Sequence, residues 1–482
     1  MTAFAISIDI GSTWTKGISV DLDGAQVVER RATATTTDNL ERAFNQVYQG
    51  LVDTLRRKAG ADAARGAEIF LSSSAKGGLG IIAIGLVPEL TVRAAKMAAA
   101  CAGGKIIGTY AYKLSEDDVK RIEAQGADII LLTGGTDGGD GVYILHNAEK
   151  LARSAIRSAV VYAGNRNVQT QALEILCAGG KEALGADNIL PELDRIDIDS
   201  ARSRIADLFI KNIIRGRGLQ GVKERCSADP RPTPAAVYDF AQVWGETEEG
   251  LLILDMGGAT TDVYSVSDPF QTSQDRLYRG LPEGRVKRTV EGDLGLRWSA
   301  LHTAETGKNW AERILGPEGA GELLRWARRA AEHPEIIPQN AEEQRLDDFL
   351  AQVCVGQSIR RHGGVATLTY TATGPIWLQN GKDLSLITTI IGSGGRLAQG
   401  GSFSIVQGAL RALAEDEGAG IAGERGYFSG GMAQRALLPR LESIRYFRDA
   451  EYLIPLAANL VKNYPSVAVQ LIRPTLQEEQ AL

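Results

Sequence analysis

Apolar positions along this chain come as short aliphatic runs separated by stretches with helical spacing. Phe4–Ile10, Lys16–Leu22 and Ala25–Ala32 read as strands, with Leu22-Asp-Gly24 as the hairpin turn between the last two. Asp38 is placed to cap a helix whose apolar positions Leu40, Phe44, Val47, Leu51 and Leu55 share one face. From about residue 68 to residue 180 strand and helix patterns alternate. Glu68–Ser72, Gly80–Val87, Lys105–Ala111, Asp128–Leu132 and Ala159–Tyr162 are the strands. Pro88–Cys101 is a helix, and Ser115-Glu-Asp-Asp118 is a capping box for another that Gly126 ends. Such alternation predicts a mostly parallel sheet. Ligands on these sheets bind beyond the carboxyl ends of the strands, where Thr133-Gly-Gly-Thr-Asp137-Gly-Gly-Asp140-Gly falls.

Further along, Ala201–Ile214 has helical spacing, and the proline-rich Asp229-Pro-Arg-Pro-Thr-Pro234 is excluded from regular helix and from an inner strand. A second series opens at Leu251. It runs through charged helical segments near 308–361, strands at Ala366–Tyr370 and Ile376–Leu378, and closing helices, with Gln477–Leu482 as a frayed end.

Two stretches in this pattern carry chemistry. In Leu251-Leu-Ile-Leu-Asp255-Met-Gly257-Gly258-Ala-Thr260-Thr261-Asp262 a buried strand ends at an aspartate beside a turn of glycines and hydroxyls. Glycine has no Cβ to hold phosphate away from backbone amides, so the turn suits phosphate oxygens. An aspartate next to phosphate needs a hard cation between them, which implies Mg2+. Ile6-Ser-Ile-Asp9-Ile-Gly11-Ser12-Thr13-Trp-Thr15-Lys16 repeats the arrangement. Asp9 matches Asp255, Gly11 matches Gly257, Ser12 matches Gly258 and Thr15 matches Thr261, while Lys16 stands where the second copy has Asp262.

Either turn alone reads more simply as a capping aspartate. Duplication points to two related lobes whose turns face one another across a cleft. In that arrangement Asp9 and Asp255 hold Mg2+, mostly through waters. Thr13, Thr15, Thr260 and Thr261 bond phosphate oxygens, and Lys16 adds positive charge at the β/γ end. A water-activating carboxylate comes from Asp262, Glu291 or Asp293, in that order of preference.

At 482 residues the chain exceeds one small core. The expected division is an N-terminal lobe, 1–250, carrying an inserted α/β region at about 75–185, and a C-terminal lobe, 251–482. Its 44% hydrophobic and 23% charged content is that of a soluble globular protein, and a net charge of −6 opposes electrostatic nucleic-acid binding. The basic run Ile214-Arg-Gly-Arg-Gly is short and has no interleaved aromatics. Cys101, Cys177, Cys226 and Cys354 form no CxxC pair, which predicts reduced thiols in a cytoplasmic protein. No basic leader precedes the first strand, and the most apolar run, Leu79–Val87, is too short to span a bilayer. No GxxxxGK[ST] occurs, and the GxGxxG matches at Gly216–Gly221 and Gly418–Gly423 follow helix-like runs, which excludes them as dinucleotide sites. His146, His302, His333 and His362 show neither HExxH nor the Asp-x-His-x-x-Gly pattern of corrinoid-binding domains.

The paired turns resemble the phosphate motifs of the actin, Hsp70 and sugar-kinase ATPase superfamily. Ile387-Thr-Thr-Ile-Ile-Gly392-Ser393-Gly394-Gly395 resembles its third motif, a strand followed by glycines that close over the adenosine. The resemblance implies an α/β fold of duplicated actin/Hsp70-like (ribonuclease H-like) ATPase lobes, with a Rossmann-like α/β insertion in the first. It also implies nucleotide contacts at Gly392, Ser393, Gly394 and Gly395.

Within that superfamily four motifs resemble the glutamate-mutase-associated GlmL (MutL) family. They are Thr133-Gly-Gly-Thr-Asp137-Gly-Gly, Val161-Tyr-Ala-Gly-Asn165, Lys287-Arg-Thr-Val-Glu291-Gly-Asp293-Leu-Gly and Gly381-Lys-Asp383-Leu. That resemblance implies ATP and Mg2+ as cofactors and an adenosylcobalamin-dependent mutase, of the glutamate mutase or aminomutase type, as partner. A reactivating chaperone of this kind uses ATP to pry the mutase open and release damaged corrinoid. The inserted region is then a place for partner contact. Asp137 and Asp140 either satisfy amides of their own glycine loop or face the cleft or a partner. Two alternatives use the same cleft: a small-molecule kinase of the acetate or sugar-kinase type, and a nucleotide-gated, actin-like structural protein.

Overall fold

The computed structural model describes residues 3–36, 39–74, 79–216, 219–268, 276–281, 283–372, 374–423 and 433–480. It divides into two compact units, Met1–Phe240 with Pro455–Leu471, and Ala241–Ile454 with Ile472–Leu482.

The first unit opens with β1 (Phe4–Ile10), β2 (Trp14–Asp21), β3 (Gln26–Ala34) and β4 (Glu68–Ser73). An inserted series follows: β5 (Gly80–Gly85), β6 (Lys105–Ala111), β7 (Ile129–Leu132), β8 (Ala159–Tyr162) and β9 (Ala183–Gly185), and then β10 (Arg231–Pro232). The main sheet has the order β10-β4-β1-β2-β3. β1, β2 and β3 form an antiparallel meander, while β4 and β10 run parallel to β1. The helix Leu40–Ala59 packs Leu40, Phe44, Val47, Leu51 and Leu55 against this meander. Gly17 permits its approach, since a Cβ there would sit 2.7 Å from Val47 Cγ1. Asp38 lies outside the described residues; the helix is capped by Asn39, whose side chain accepts the Glu41 N–H.

The inserted sheet is parallel throughout, in the order β6-β5-β7-β8-β9. Numbered from its own first strand this is 2-1-3-4-5, a doubly wound arrangement with its switch point between β5 and β7. The Ser115–Asp118 capping box forms as expected, and Gly126 ends that helix at φ +60°. Pro88–Val92 is a π-helical turn leading into the helix Arg93–Cys101, so the single helix read there is two pieces. The proline-rich segment supplies an edge strand, β10, and Pro234 falls in the first turn of the helix Thr233–Gly245.

The second unit contains β11 (Leu251–Met256), β12 (Thr261–Val266), β13 (Arg276–Tyr278), β14 (Val286–Glu291), β15 (Gly364–Thr371), β16 (Gly374–Asn380), β17 (Thr389–Ser393), β18 (Gln434–Leu437), β19 (Arg445–Arg448) and β20 (Gln477–Glu479). Its main sheet runs β14-β12-β11-β17-β19-β20, and a smaller one runs β13-β16-β15-β18. Leu252, Leu254 and Val263 share a core with Leu350, Val353, Val406 and Ala409 from the helices Ala341–His362 and Ser402–Gly423.

The expected fraying at Gln477–Leu482 is corrected for its described part. Gln477–Glu479 pairs antiparallel with β19, where Arg445 meets Glu478 at 2.9 Å and Arg448 meets Glu479 at 3.1 Å. An acidic tail finds an arginine-bearing sheet edge, and a terminal position alone does not reveal that partner.

Five strands repeat between the units. β10-β4-β1-β2-β3 and β19-β17-β11-β12-β14 have the same order and directions. The register repeats too: Asp9 opposes Lys16 and Ser72, and Asp255 opposes Asp262 and Ser393. The fold is therefore α/β with duplicated ribonuclease H-like lobes and a Rossmann-like insertion in the first.

Candidate functional site

Each duplicated hairpin closes through one glycine. The Gly11 N–H donates to the Trp14 carbonyl at 3.0 Å, and the Gly257 N–H donates to that of Thr260 at 2.9 Å. A Cβ on Gly11 would lie 2.8 Å from the Trp14 oxygen, so the first turn admits only glycine without rearrangement.

In the first turn Thr35 acts as a brace. Its hydroxyl donates to the Gly11 carbonyl at 2.9 Å, and its N–H donates to the Thr13 carbonyl at 2.9 Å. With that proton committed, the buried Thr15 hydroxyl donates to Thr35 Oγ1 at 3.0 Å. Thr15 therefore holds the turn from inside, while Ser12 is half-buried and Thr13 exposed.

Asp9 is buried, and its Oδ1 accepts from the Ser72 hydroxyl at 2.7 Å and the Thr233 hydroxyl at 2.5 Å. Burial raises its pKa above the usual carboxylate value, although Thr233, Ser72 and the Lys16 charge pull it down. Sequence reasoning missed both hydroxyl partners. Ser72 had a signal, since it ends an aliphatic strand as Ser393 does.

Beside the second turn, in the loop after β17, Gly394 and Gly395 have φ of +74° and +40°. A Cβ on Gly394 would lie 2.5 Å from Asp255 Oδ1, and one on Gly395 would lie 2.8 Å from the Met256 oxygen. These two glycines let the loop after β17 cross the tip of β11. Gly392 is packed beneath, where a Cβ would overlap the Tyr446 hydroxyl. Ser393 donates to Asp449 Oδ2 at 2.9 Å, and Asp449 in turn accepts the N–H groups of Leu453 and Ile454.

The stretch after β14 supports the same turn. The Arg297 N–H donates to the Gly258 carbonyl at 2.8 Å, and the Ser299 hydroxyl donates to the Ala259 carbonyl at 2.7 Å. A Cβ on Gly295 would come within 2.6 Å of the Gly258 oxygen. The motif ending at Gly295 thus has a physical task, which is to seat the Gly257–Ala259 turn. The buried Thr261 hydroxyl donates to the Leu294 carbonyl at 2.9 Å, so it faces inward as Thr15 does.

The three candidate water-activating carboxylates have different surroundings. Asp262 Oδ1 takes two bonds from the buried Arg288 guanidinium, at 3.0 and 2.5 Å, and its Oδ2 meets the Thr260 hydroxyl at 3.5 Å. Glu291 and Asp293 share Arg361, at 2.9 and 2.8 Å. Burial raises the Glu291 pKa in spite of that arginine. At Asp293 burial also acts upward, but Arg361 outweighs it and holds the pKa low.

The inserted glycine loop uses its own carboxylates. Asp137 Oδ1 accepts the Arg166 N–H at 3.0 Å and the Asn188 amide at 2.9 Å, and Asp140 Oδ2 accepts the Tyr143 N–H at 3.2 Å.

Within the first unit, then, one hairpin carries Asp9, Gly11, Ser12, Thr13, Thr15 and Lys16. Within the second, one hairpin carries Asp255, Gly257, Gly258, Thr260, Thr261 and Asp262, with Gly394 against Asp255 and Gly395 against the Met256 carbonyl. The aspartate and hydroxyl oxygens of each hairpin are of the kind that suits Mg2+, and a Cβ on Gly11 or on Gly394 would crowd its turn. Among the described residues no three His, Cys, Asp or Glu side chains form a metal cage. Magnesium held by one or two carboxylates plus substrate phosphates requires none. Among the described residues no helix is long and apolar enough to cross a membrane.

Comparison with known proteins adds the following. The family model described as MutL protein matches residues 5–476. Protein MutL of Clostridium tetanomorphum is 37% identical over 398 residues, covering 81% of this chain and 85% of that protein. Among solved structures, a nucleotide-free acetone carboxylase aligns at 12% identity and a TM-score of 0.33, over 82% of this chain and 66% of that one. Gluconate kinase from Lactobacillus acidophilus aligns at 9% identity and a TM-score of 0.33, over 100% and 93%. Component A of (R)-2-hydroxyglutaryl-CoA dehydratase from Acidaminococcus fermentans aligns at 10% identity and a TM-score of 0.29, over 97% and 100%. The extended sequence match, and not these low structural scores, decides the assignment: the chain belongs to the MutL protein family.

Proposed function

We propose that this protein is a Mg2+-dependent ATPase that reactivates an adenosylcobalamin-dependent mutase, of the glutamate mutase or aminomutase type, by driving release of damaged cofactor. The observation that carries the ATPase reading is the duplicated hairpin, with Asp9 and Asp255 at the same register position and a glycine-closed turn after each. Membership in the MutL family supports the mutase as partner.

In this mechanism each turn serves nucleotide phosphates. Backbone amides of Ser12, Thr13 and Gly258 hold phosphate oxygens, since those of Gly11 and Gly257 close the hairpins, and Lys16 adds positive charge at the terminal phosphates. Asp9 and Asp255 hold Mg2+, which supplies charge neutralisation at the phosphates when bound. Gly392–Gly395 accommodate the adenosine. Phosphoryl transfer to water then needs positioning and charge stabilisation more than covalent help. Asp262 is the first candidate to orient the water, through the oxygen not taken by Arg288.

The test is to incubate inactivated aminomutase with this protein, ATP, Mg2+ and fresh adenosylcobalamin, and to score recovered mutase activity. Recovery that requires ATP, with slow hydrolysis in the absence of any acceptor, is the expected result. ADP formation only when a metabolite acceptor is added would replace the chaperone with a kinase, and filaments on adding ATP would replace it with an actin-like role.

A further inference from the structure

We propose that the first unit binds a small hydroxy- or amino-carboxylate between the helices Asp199–Gly216 and Thr233–Gly245, with Arg231 as its carboxylate anchor and the Asn459 amide oxygen accepting its hydroxyl or ammonium proton. A cavity of about 320 Å³ lies there, lined among others by Arg202, Asp207, Arg231, Asp239, Asn459 and Lys462. That size falls within the usual range for small-molecule sites, roughly 300–1,000 Å³.

The charge balance inside the cavity is uneven. Arg202 and Arg231 both pair with the one buried carboxylate of Asp239, on opposite oxygens. Asp199 also reaches Arg202, at 3.4 Å, but its side chain is 79% exposed and water screens it. Asp207 and Asp229 line the rim, 56% and 72% exposed and paired with Arg204 and Lys223, so the buried part holds two guanidiniums on the one carboxylate of Asp239. Arg231 Nη1 is buried and has no hydrogen-bond partner among the described residues. An unpaired buried cationic N–H is costly, and an incoming carboxylate relieves both the charge and the lost bond. Lys462 lines the same cavity, and burial, followed by the charge of Arg231, lowers its pKa.

The second anchor is an acceptor. Asn459 Nδ2 donates to Ser7 Oγ and to the Ile8 carbonyl, both at 3.1 Å. A carbonyl only accepts, so the amide nitrogen must face Ile8 and the oxygen must face away. That oxygen is also buried and without a partner among the described residues. Arg231 and Asn459 both line the cavity, and the described residues leave one cationic donor on the first and one acceptor on the second unused. A simple anion answers the first only, an apolar molecule neither, and a carboxylate bearing a hydroxyl or ammonium group answers both.

The site stands one step behind Asp9. Arg231 precedes Pro232 and Thr233, whose hydroxyl bonds Asp9, and Asn459 bonds the carbonyl of the residue before Asp9. An occupant bonded to Arg231 and Asn459 adjoins the segment that carries Thr233 and the residue that holds the Ile8 carbonyl, and through them tunes nucleotide turnover. This coupling rests on the ATPase reading, whereas the binding site does not.

The experiment is calorimetric titration of the full chain, without nucleotide, using three acids on one carbon skeleton: propionate, L-lactate and L-alanine. L-lactate or L-alanine is expected to bind at least tenfold more tightly than propionate. Arg231→Met is expected to abolish that binding, and Lys462→Met, at a residue whose side chain lines the cavity but keeps solvent exposure, to weaken it severalfold, with thermal unfolding of both variants as the folding control. No heat with any of the three, equal heat with all three, or binding unchanged by both variants would overturn the proposal.

Discussion

Gly394 lies against Asp255 so closely that a Cβ built on it would fall 2.5 Å from Oδ1, and its φ of +74° belongs to the left-handed region. Two penalties therefore meet in Gly394→Ala: backbone strain of about 1–3 kcal/mol and displacement of the aspartate. The variant should melt lower and lose ATP affinity. Gly400→Ala, where the added methyl meets nothing within 4 Å, should do neither. Thermal unfolding and ATP titration of the pair decide the matter; equal behaviour would remove Gly394 from the site.

Asp9 gives a prediction with a worked sign. Burial raises its folded pKa above the ordinary 3.8. A carboxyl raised in this way contributes stability that is complete below the unfolded pKa and lost as pH rises through the folded one. Asn keeps an oxygen for Ser72 and Thr233 but carries no charge. Asp9→Asn should therefore melt higher than wild type at pH 7, with the gap closing toward pH 4. Its ATP turnover should drop by roughly 10²-fold. A variant no more stable than wild type at pH 7 contradicts a strained, buried carboxylate.

His362 gives the opposite sign. It is buried between Ser265 Oγ, at 2.7 Å from Nε2, and Thr289 Oγ1, at 2.8 Å from Nδ1. Burial, then Lys287 and Lys382, hold its pKa well below 6.5. The folded ring stays neutral while the unfolded ring takes a proton, so this contribution is complete above pH 6.5 and declines as pH falls toward the folded pKa. The slope is about 1.4 kcal/mol per pH unit. Urea unfolding at pH 7.5, 6 and 5 should show it, and His362→Gln should flatten the profile by one proton. Parallel profiles for the two proteins would disprove the assignment.

The buried Asp262–Arg288 pair predicts asymmetric mutational costs. Arg288→Met leaves the carboxylate inside without its partner, a loss of about 3–5 kcal/mol, whereas replacing both by apolar residues restores much of it. A double-mutant cycle with Asp262→Leu measures this. Additive costs would mean that the two do not act as a pair.

The aspartate-tipped turns are legible in the sequence because everything that makes them is local. An aliphatic strand, a glycine that closes on the third residue beyond it, and a returning strand lie within one short window, twice. The partners of those aspartates are not local. Ser72 stands 63 positions from Asp9, and Thr233 stands 224 away. Nothing in the spacing of residues 229–234 announces that a proline-rich edge would deliver a hydroxyl to β1. The same holds for Ser299 beneath Ala259, and for Asn459, which reaches back to Ile8 from near the chain's end.

By itself, then, the sequence of this protein determines its repeated hairpins, the alternation that builds the inserted parallel sheet, and its family. Those properties follow from side-chain period and from where glycine alone is tolerated, and both act over a few residues. The tertiary structure alone decides which hydroxyls hold Asp9, that Thr15 and Thr261 face inward, that Arg288 claims Asp262, and that Gln477–Glu479 joins a sheet. These outcomes are set when burial removes water and each polar group must find whatever partner packing brings near, however distant in the chain.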